Sequence, residues 1–261
     1  MTDTLPAAVI QYQPLDGGIP ANAAEHVRLI EDADDHGSRL VVFPELSLTG
    51  YRLDLLEDPD SWLKPDDERL GDVREICRRT GITAVVGAAC RESDGTPRLA
   101  SVALHPDGST ETAFKAHLHG QEQELFTPGE GVALMEMDGW RIALAPCFDA
   151  SVFDASVPEG GADAAAASAD VYCVSALYTK DEEHRLGLHL GARAMDNRMF
   201  MLLANLGGRS PLGESCGLSG FWGPDGFPLK QAAGTRTEIV SCVLQRSRLE
   251  KYRRETGNAA G

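Results

Sequence analysis

Three side chains stand at the ends of predicted strands and form, taken together, a reactive set: Glu45, Lys115 and Cys147. Glu45 follows the run Leu40-Val41-Val42-Phe43 and Pro44. A carboxylate beyond a buried strand sits where layered α/β folds place ligands, and partial burial raises its pKa toward the range of a general base. Cys147 closes Ile142-Ala143-Leu144-Ala145-Pro146. A thiol is only slightly ionised at neutral pH, so as a nucleophile it needs a base or a nearby cation. Lys115 stands at the end of the predicted strand 110–114, before Ala116-His117-Leu118. Singly, each has an ordinary reading: a loop glutamate, a small buried hydrophobe, a solvated edge lysine. As a set they form one chemical sequence. The carboxylate takes the thiol proton, the thiolate attacks an amide or related carbon, and the ammonium stabilises the developing oxyanion.

The elements that must position these groups alternate between strand and helix. Strands are predicted over 7–12, 40–43, 82–89, 99–104, 110–114, 132–137, 141–145, 171–176, 200–204, 217–222, 229–232 and 238–242. Helices are predicted over 21–35, with apolar positions at Ala24, Val27, Ile30 and Ala33 and a stop at Gly37, and over 68–79, closed by Gly81. Further helices are expected at 162–169, 181–199 and, as a charged tail, 245–254. Asp138-Gly139 reads as a hairpin turn. Strands mixed with helices throughout imply a layered α/β domain, and no linker divides the chain, so residues 1–261 are expected to form one domain. Spacing alone leaves a doubly wound sheet and a sandwich of two sheets both open.

Composition narrows the function classes. Of 261 residues 43% are hydrophobic, enough for a core without disulfides or a structural metal. Forty acidic residues against 24 basic ones give a net charge of −16, which disfavours nucleic acid and anionic membranes as partners. No stretch approaches a membrane span, the N-terminal segment lacks the basic start of a signal peptide, and six cysteines without paired spacing fit a reducing cytoplasm.

With these groups in place, five segments resemble the nitrilase superfamily of carbon–nitrogen hydrolases, in order and in approximate spacing. They are Phe43-Pro44-Glu45 with Thr49-Gly50-Tyr51, then Lys115-Ala116-His117-Leu118, Glu122 to Gly129 (Glu-x-x-x-Phe-x-Pro-Gly), Cys147-Phe148-Asp149, and Arg193-Ala194-Met195-Asp196-Asn197. The resemblance implies a four-layer α-β-β-α sandwich and a covalent mechanism on the amidase or carbamoylase side. Cys147 would form the acyl-enzyme, Glu45 would serve as base and then acid, and Lys115 would donate to the oxyanion, with the backbone N–H of Phe148 as a second donor. Glu122 matches the family's additional active-site glutamate, with Glu124 as the alternative two residues on. Tyr51 and Ala176 are expected to line the substrate pocket. The substrate would be a small carboxamide or carbamoyl compound, no cofactor or metal is called for, and a homodimer or larger even homo-oligomer is expected, through the helix at 181–199 and the tail.

The sequence also departs from the family pattern. Ala113-Phe114 replaces the common Tyr-Arg before the lysine, and the segment after Cys147 is longer than usual before Ala169-Asp170 leads into the next strand. His117 and His119 would share one face of a strand, as in some zinc sites, but lack partners at ligand spacing. Asp181, Glu182 and Glu183 open a helix, where acidic residues suit the helix dipole. A nitrilase on the same fold is the alternative activity, and a catalytically silent binding protein is the alternative class.

Overall fold

Period-two alternation decides how the layers form, because each central strand carries apolar residues on both faces. In β1 (Thr4–Gln11), Ala8 and Ile10 point one way while Leu5, Ala7 and Val9 point the other, and each set enters a different buried cluster. In β8 (Val171–Ala176), Val171 and Cys173 share the second of these clusters, whereas Tyr172, Val174 and Ala176 enter a third. A strand buried on both faces needs a cover on each side. The computed structural model describes residues 2–130, 133–147 and 160–257, and it shows what those covers are.

Two six-stranded sheets face one another among the described residues. The first runs β14-β1-β2-β3-β4-β5, with β2 Leu40–Val42, β3 Thr83–Arg91, β4 Pro97–Leu104, β5 Thr110–Phe114 and β14 Glu238–Gln245. The second runs β13-β12-β9-β8-β7-β6, with β6 Ala133–Met137, β7 Trp140–Pro146, β9 Phe200–Asn205, β12 Gly220–Trp222 and β13 Pro228–Gln231. A short ribbon, β10 Arg209–Ser210 with β11 Gly213–Glu214, lies apart from both. Helices α1 (Gly18–Asp34) and α2 (Gly71–Thr80) cover the first sheet through Leu29, Ile30, Val73 and Ile76. On the second, the cover is α4 (Gly160–Ala166) and α5 (Glu183–Asn197), through Ala164, Leu186, Leu190 and Ala194. A one-turn helix α3 (Glu122–Leu125) and the tail helix α6 (Arg246–Gly257) complete the set. This is the α-β-β-α sandwich, and of the two arrangements that strand spacing left open it is the one present.

Parallel pairing fixes where the site must be. β1, β2 and β3 run parallel in one sheet, as do β7, β8 and β9 in the other, so their carboxyl ends can open toward one region. Ser175 Oγ, at the end of β8, donates to the Phe43 carbonyl at 2.8 Å and ties the two sheets together there. Elsewhere the elements follow their local signals. Gly81 adopts a left-handed φ of 73° and its N–H donates to the Cys77 carbonyl, ending α2. Asp138 and Gly139 both have positive φ, as a two-residue hairpin of this twist needs. The predicted strand 217–222 begins late, at Gly220; of the strand predicted over 132–137, residue 132 lies outside the described residues and Ala133–Met137 are strand. Among the described residues, no helix is long and apolar enough to cross a membrane.

Candidate active site

Glu45 sits on a tight turn directly beyond β2. Phe43 N–H still donates to Val85 O at 2.8 Å, after which the chain turns, with Ser47 N–H on Pro44 O at 3.2 Å and Leu48 N–H on Gly87 O at 3.1 Å. Leu46 adopts φ 50°, a left-handed conformation that a branched side chain takes only when its surroundings enforce it. Gly87 of β3 is part of that enforcement. A Cβ there would lie 2.2 Å from Pro44 O and 2.5 Å from Leu46 N, so only glycine lets the turn pack this closely.

Lys115 is placed by the end of β5. Its N–H donates to Leu99 O and its carbonyl accepts from Gly129 N–H, both at 2.8 Å. The absence of a side chain at Gly129 permits this, since a Cβ would come within 2.4 Å of Phe114 O. The ammonium is 1% exposed and donates to Glu45 Oε1 and to Glu122 Oε1, each at 2.8 Å. Glu122 is buried on α3, accepts from Tyr51 Oη at Oε1 and from His119 N–H at Oε2, 2.8 Å away. Glu124 is exposed, so of the two candidate glutamates Glu122 is the one at the lysine.

Cys147 follows β7 immediately, with φ 38°, a second left-handed non-glycine position at a strand end. Such a backbone conformation is disfavoured by about 1–3 kcal/mol and turns the side chain out of the strand's alternation. Cys147 is half-buried and lines a cavity of about 250 Å³ together with Glu45, Tyr51, Lys115 and Glu122. The three groups read as a set in the sequence are therefore brought to one place from both sheets.

The electrostatics are those of a resting thiol beside a base. Burial pushes Glu45 up to about 7, with Lys115 pulling it down and Glu122 pushing it further up. Its Oε2 is buried and makes no hydrogen bond among the described residues, although the Cys147 thiol is near enough to stabilise the carboxylate. Desolvation and the Glu45 charge hold the thiol well above the usual cysteine range, against the pull of Lys115. Burial alone would lower Lys115, but Glu45, Cys147 and Glu122 outweigh it and keep the ammonium protonated. Moving a proton from Cys147 to Glu45 shifts negative charge from carboxylate to sulfur without adding any to the buried site. Among the described residues, two of the three Lys115 donors are committed to carboxylates, which leaves the third for an oxygen in the cavity.

Two expectations about the pocket need correction or fall outside it. Ala176 does not line the cavity: it is fully buried in the cluster beneath α5, because it shares the outward face of β8 with Tyr172 and Val174. The next two residues, Leu177 and Tyr178, line the cavity instead, as do Glu182 and Arg185. Their position beyond the end of β8 is the signal that could have found them. Phe148 lies outside the described residues. Glu182 also keeps the structural role expected of the acidic helix start, closing a capping box with Thr179. Among the described residues no three His, Cys, Asp or Glu side chains are grouped to hold a metal.

Known proteins resemble this chain over most of its length. A nitrilase of Pyrococcus abyssi is 26% identical over 235 residues, covering 89% of this chain and 86% of its own. A deaminated glutathione amidase of Escherichia coli O157:H7 is 25% identical over 201 residues, 74% and 75% of the two chains. Among solved structures, Saccharomyces cerevisiae Nit3, a member of branch 10 of the nitrilase superfamily, superposes with a TM-score of 0.86 at 19% identity, covering 98% of this chain and 95% of that one. The amidase from Nesterenkonia sp. AN1 superposes at 0.82 with 23% identity, covering 98% and 100%. Residues 6–254 match the carbon-nitrogen hydrolase family. By that match, the protein belongs to the carbon–nitrogen hydrolase family and is a hydrolase acting on carbon–nitrogen bonds.

Proposed function

We propose that the protein is a thiol amidohydrolase that cleaves a small carboxamide or carbamoyl compound through an acyl-enzyme on Cys147. One observation carries this reading: a buried lysine bridges two carboxylates at 2.8 Å in the same cavity as a strand-terminal cysteine. Glu45 takes the thiol proton and the thiolate attacks the carbonyl carbon. Lys115 donates its remaining N–H to the oxyanion, a contribution of about 3–4 kcal/mol where one such donor is removed in comparable sites. Protonated Glu45 then gives its proton to the departing ammonia or amine, and the thioester remains. Water, deprotonated by Glu45, attacks the thioester and frees the acid and the thiol. Glu122 and Tyr51 hold the lysine in line throughout.

An amide presents its carbonyl oxygen to Lys115 from the first step and needs a proton for its leaving amine, so it uses both groups. A nitrile has no leaving group in that step. The test is kcat/KM for one acyl group offered as amide and as nitrile. Faster release of ammonia from the amide is expected; a nitrile converted to acid faster than its own amide would make the protein a nitrilase. One surface supports a quaternary proposal: on α5, Leu188, 68% exposed, and Met195 share a face, and the exposed Phe227 follows Gly226, where a Cβ would lie 3.4 Å from Met195 Cβ. We propose a homodimer through this face, and light scattering near the 28.0 kDa of one chain would contradict it.

A further inference from the structure

Behind Glu45, away from the cavity, lies a buried polar chain that the proposed chemistry does not use. His26 of α1 is fully buried, with Nδ1 2.6 Å from Asn22 O and Nε2 2.9 Å from Ser47 Oγ. A carbonyl can only accept, so Nδ1 carries the hydrogen and Nε2 accepts from the Ser47 hydroxyl. Ser47 Oγ in turn accepts from Gly87 N–H at 3.1 Å. The chain thus runs in one direction, from Gly87 N–H through Ser47 and His26 to the Asn22 carbonyl, with both ring nitrogens satisfied. Asn22 is itself fixed, since its Oδ1 accepts from Tyr12 Oη at 2.5 Å and from Leu15 N–H at 2.8 Å. The imidazole also stacks on Phe43, with centroids 3.8 Å apart and planes inclined by 15°.

We propose that His26 is a positioning residue for Glu45, holding the turn over residues 44–48 through Ser47 and through its stack on Phe43. The turn needs such a brace. Leu46 stands in the left-handed region next to Glu45; Gly87 gives the turn its space and holds it from the β3 side through Leu48 N–H and Ser47 Oγ, which leaves the α1 side to be secured. His26 and Ser47 supply the opposite jaw. They grip the residue two before Glu45 and the residue two after it, so the carboxylate is set from both sides. A histidine that served only to fill the core would be better replaced by an apolar side chain, because burying an imidazole is unfavourable unless both nitrogens are satisfied. Burial pushes His26 down to about 3, so the ring stays neutral and the direction of the chain does not change over the working pH range.

The inference rests on Glu45 as the base, and the experiment separates the two. Steady-state kinetics on the full chain, with an amide it hydrolyses, compare His26→Phe, His26→Gln, Ser47→Ala and Glu45→Gln. Phenylalanine keeps the stack and removes the hydrogen bonds, whereas glutamine keeps a donor and an acceptor and removes the ring. Displacing a catalytic group by about 1 Å lowers turnover by up to about 100-fold. We expect His26→Phe and Ser47→Ala to lower kcat by about 10- to 100-fold with KM within about threefold, and His26→Gln to recover most of the loss. Should His26→Phe not fold, Ser47→Ala carries the comparison, since it removes one oxygen only. Wild-type kcat in Ser47→Ala, or a loss in His26→Gln as large as in His26→Phe, overturns the proposal while an inactive Glu45→Gln leaves the base reading intact. An active Glu45→Gln overturns both.

Discussion

Replacing Glu122 by glutamine removes a charge from the site while keeping most of its contacts. The amide oxygen can still accept from Lys115 and Tyr51, as Glu122 Oε1 does, whereas the amide N–H would oppose the His119 N–H that Oε2 now accepts. Some turnover is therefore lost, but the informative quantity is the acid limb of kcat/KM. Glu45 Oε1 and Glu122 Oε1 each lie 2.8 Å from the same Nζ, so they can be no further apart than twice that distance. Unit charges at that separation repel by about 3 kcal/mol at an effective dielectric constant of ~20, equivalent to about 2 pKa units. Spreading each charge over two oxygens reduces this to about 1–2 units. A negative neighbour favours the protonated form of Glu45, so removing it lowers the Glu45 pKa from about 7. Catalysis from free enzyme needs Glu45 ionised, so the acid limb should move to lower pH by about 1–2 units. The assay is ammonia release measured as kcat/KM from about pH 5 to 9, for wild type and Glu122→Gln. A limb that stays in place or moves upward refutes the electrostatic coupling of these two carboxylates.

Three further outcomes follow from the same geometry. Gly87→Ala must push Pro44 O and Leu46 N away from its new methyl group, so kcat should fall by about 100-fold while circular dichroism shows the fold retained; wild-type turnover would mean that the close approach does not set Glu45. Iodoacetamide should label Cys147 faster than the other five thiols and more slowly in Glu45→Gln, because burial raises all six but only Cys147 has a carboxylate beside it to take its proton, Cys77, Cys90, Cys173, Cys216 and Cys242 having none in hydrogen-bond contact among the described residues; uniform labelling contradicts this. For His26 the folded-state pKa, about 3, lies below the unfolded 6.5, so the stability of its neutral form is fully present above about pH 6.5 and is lost as pH falls toward 3. The unfolding free energy of wild type, from urea titrations, should accordingly fall more steeply than that of His26→Gln below pH 6.5, by about 1.4 kcal/mol per pH unit, and parallel curves would show that the imidazole is not buried neutral.

The chemistry of this chain was more legible in its sequence than its supports were. Glu45 and Cys147 each follow a short apolar run that reads as a buried strand, and Lys115 follows the strand predicted over 110–114, so their common location at strand ends could be read directly. The choice between Glu122 and Glu124 could not, because only the turn of α3 shows which faces the lysine. In α1 the expected stripe of Ala24, Val27, Ile30 and Ala33 holds at Ile30 and Ala33, with Val27 half-buried against the core, but Ala24 is exposed and the buried face also takes in Ile19, Asn22, Ala23, His26 and Leu29. Two polar residues at buried positions four apart hide an apolar period. One of the two, His26, is the residue proposed to brace Glu45, and the other accepts its Nδ1–H at the backbone carbonyl, so the local break in pattern coincides with the proposed positioning role. Ala176 was misplaced for a simpler reason. A strand's last inward position is set by register, which depends on β7 and β9 as much as on β8 itself.

The covalent role of Cys147 can be tested by mass. Wild-type protein is mixed with an amide it hydrolyses, quenched in acid within the first turnovers, digested and analysed for the peptide that contains Cys147. That peptide should carry the mass of the acyl group as a hydroxylamine-labile thioester, and Cys147→Ala should show neither adduct nor ammonia release. Continued amide hydrolysis by Cys147→Ala, or an acyl group found on another residue, would contradict the mechanism.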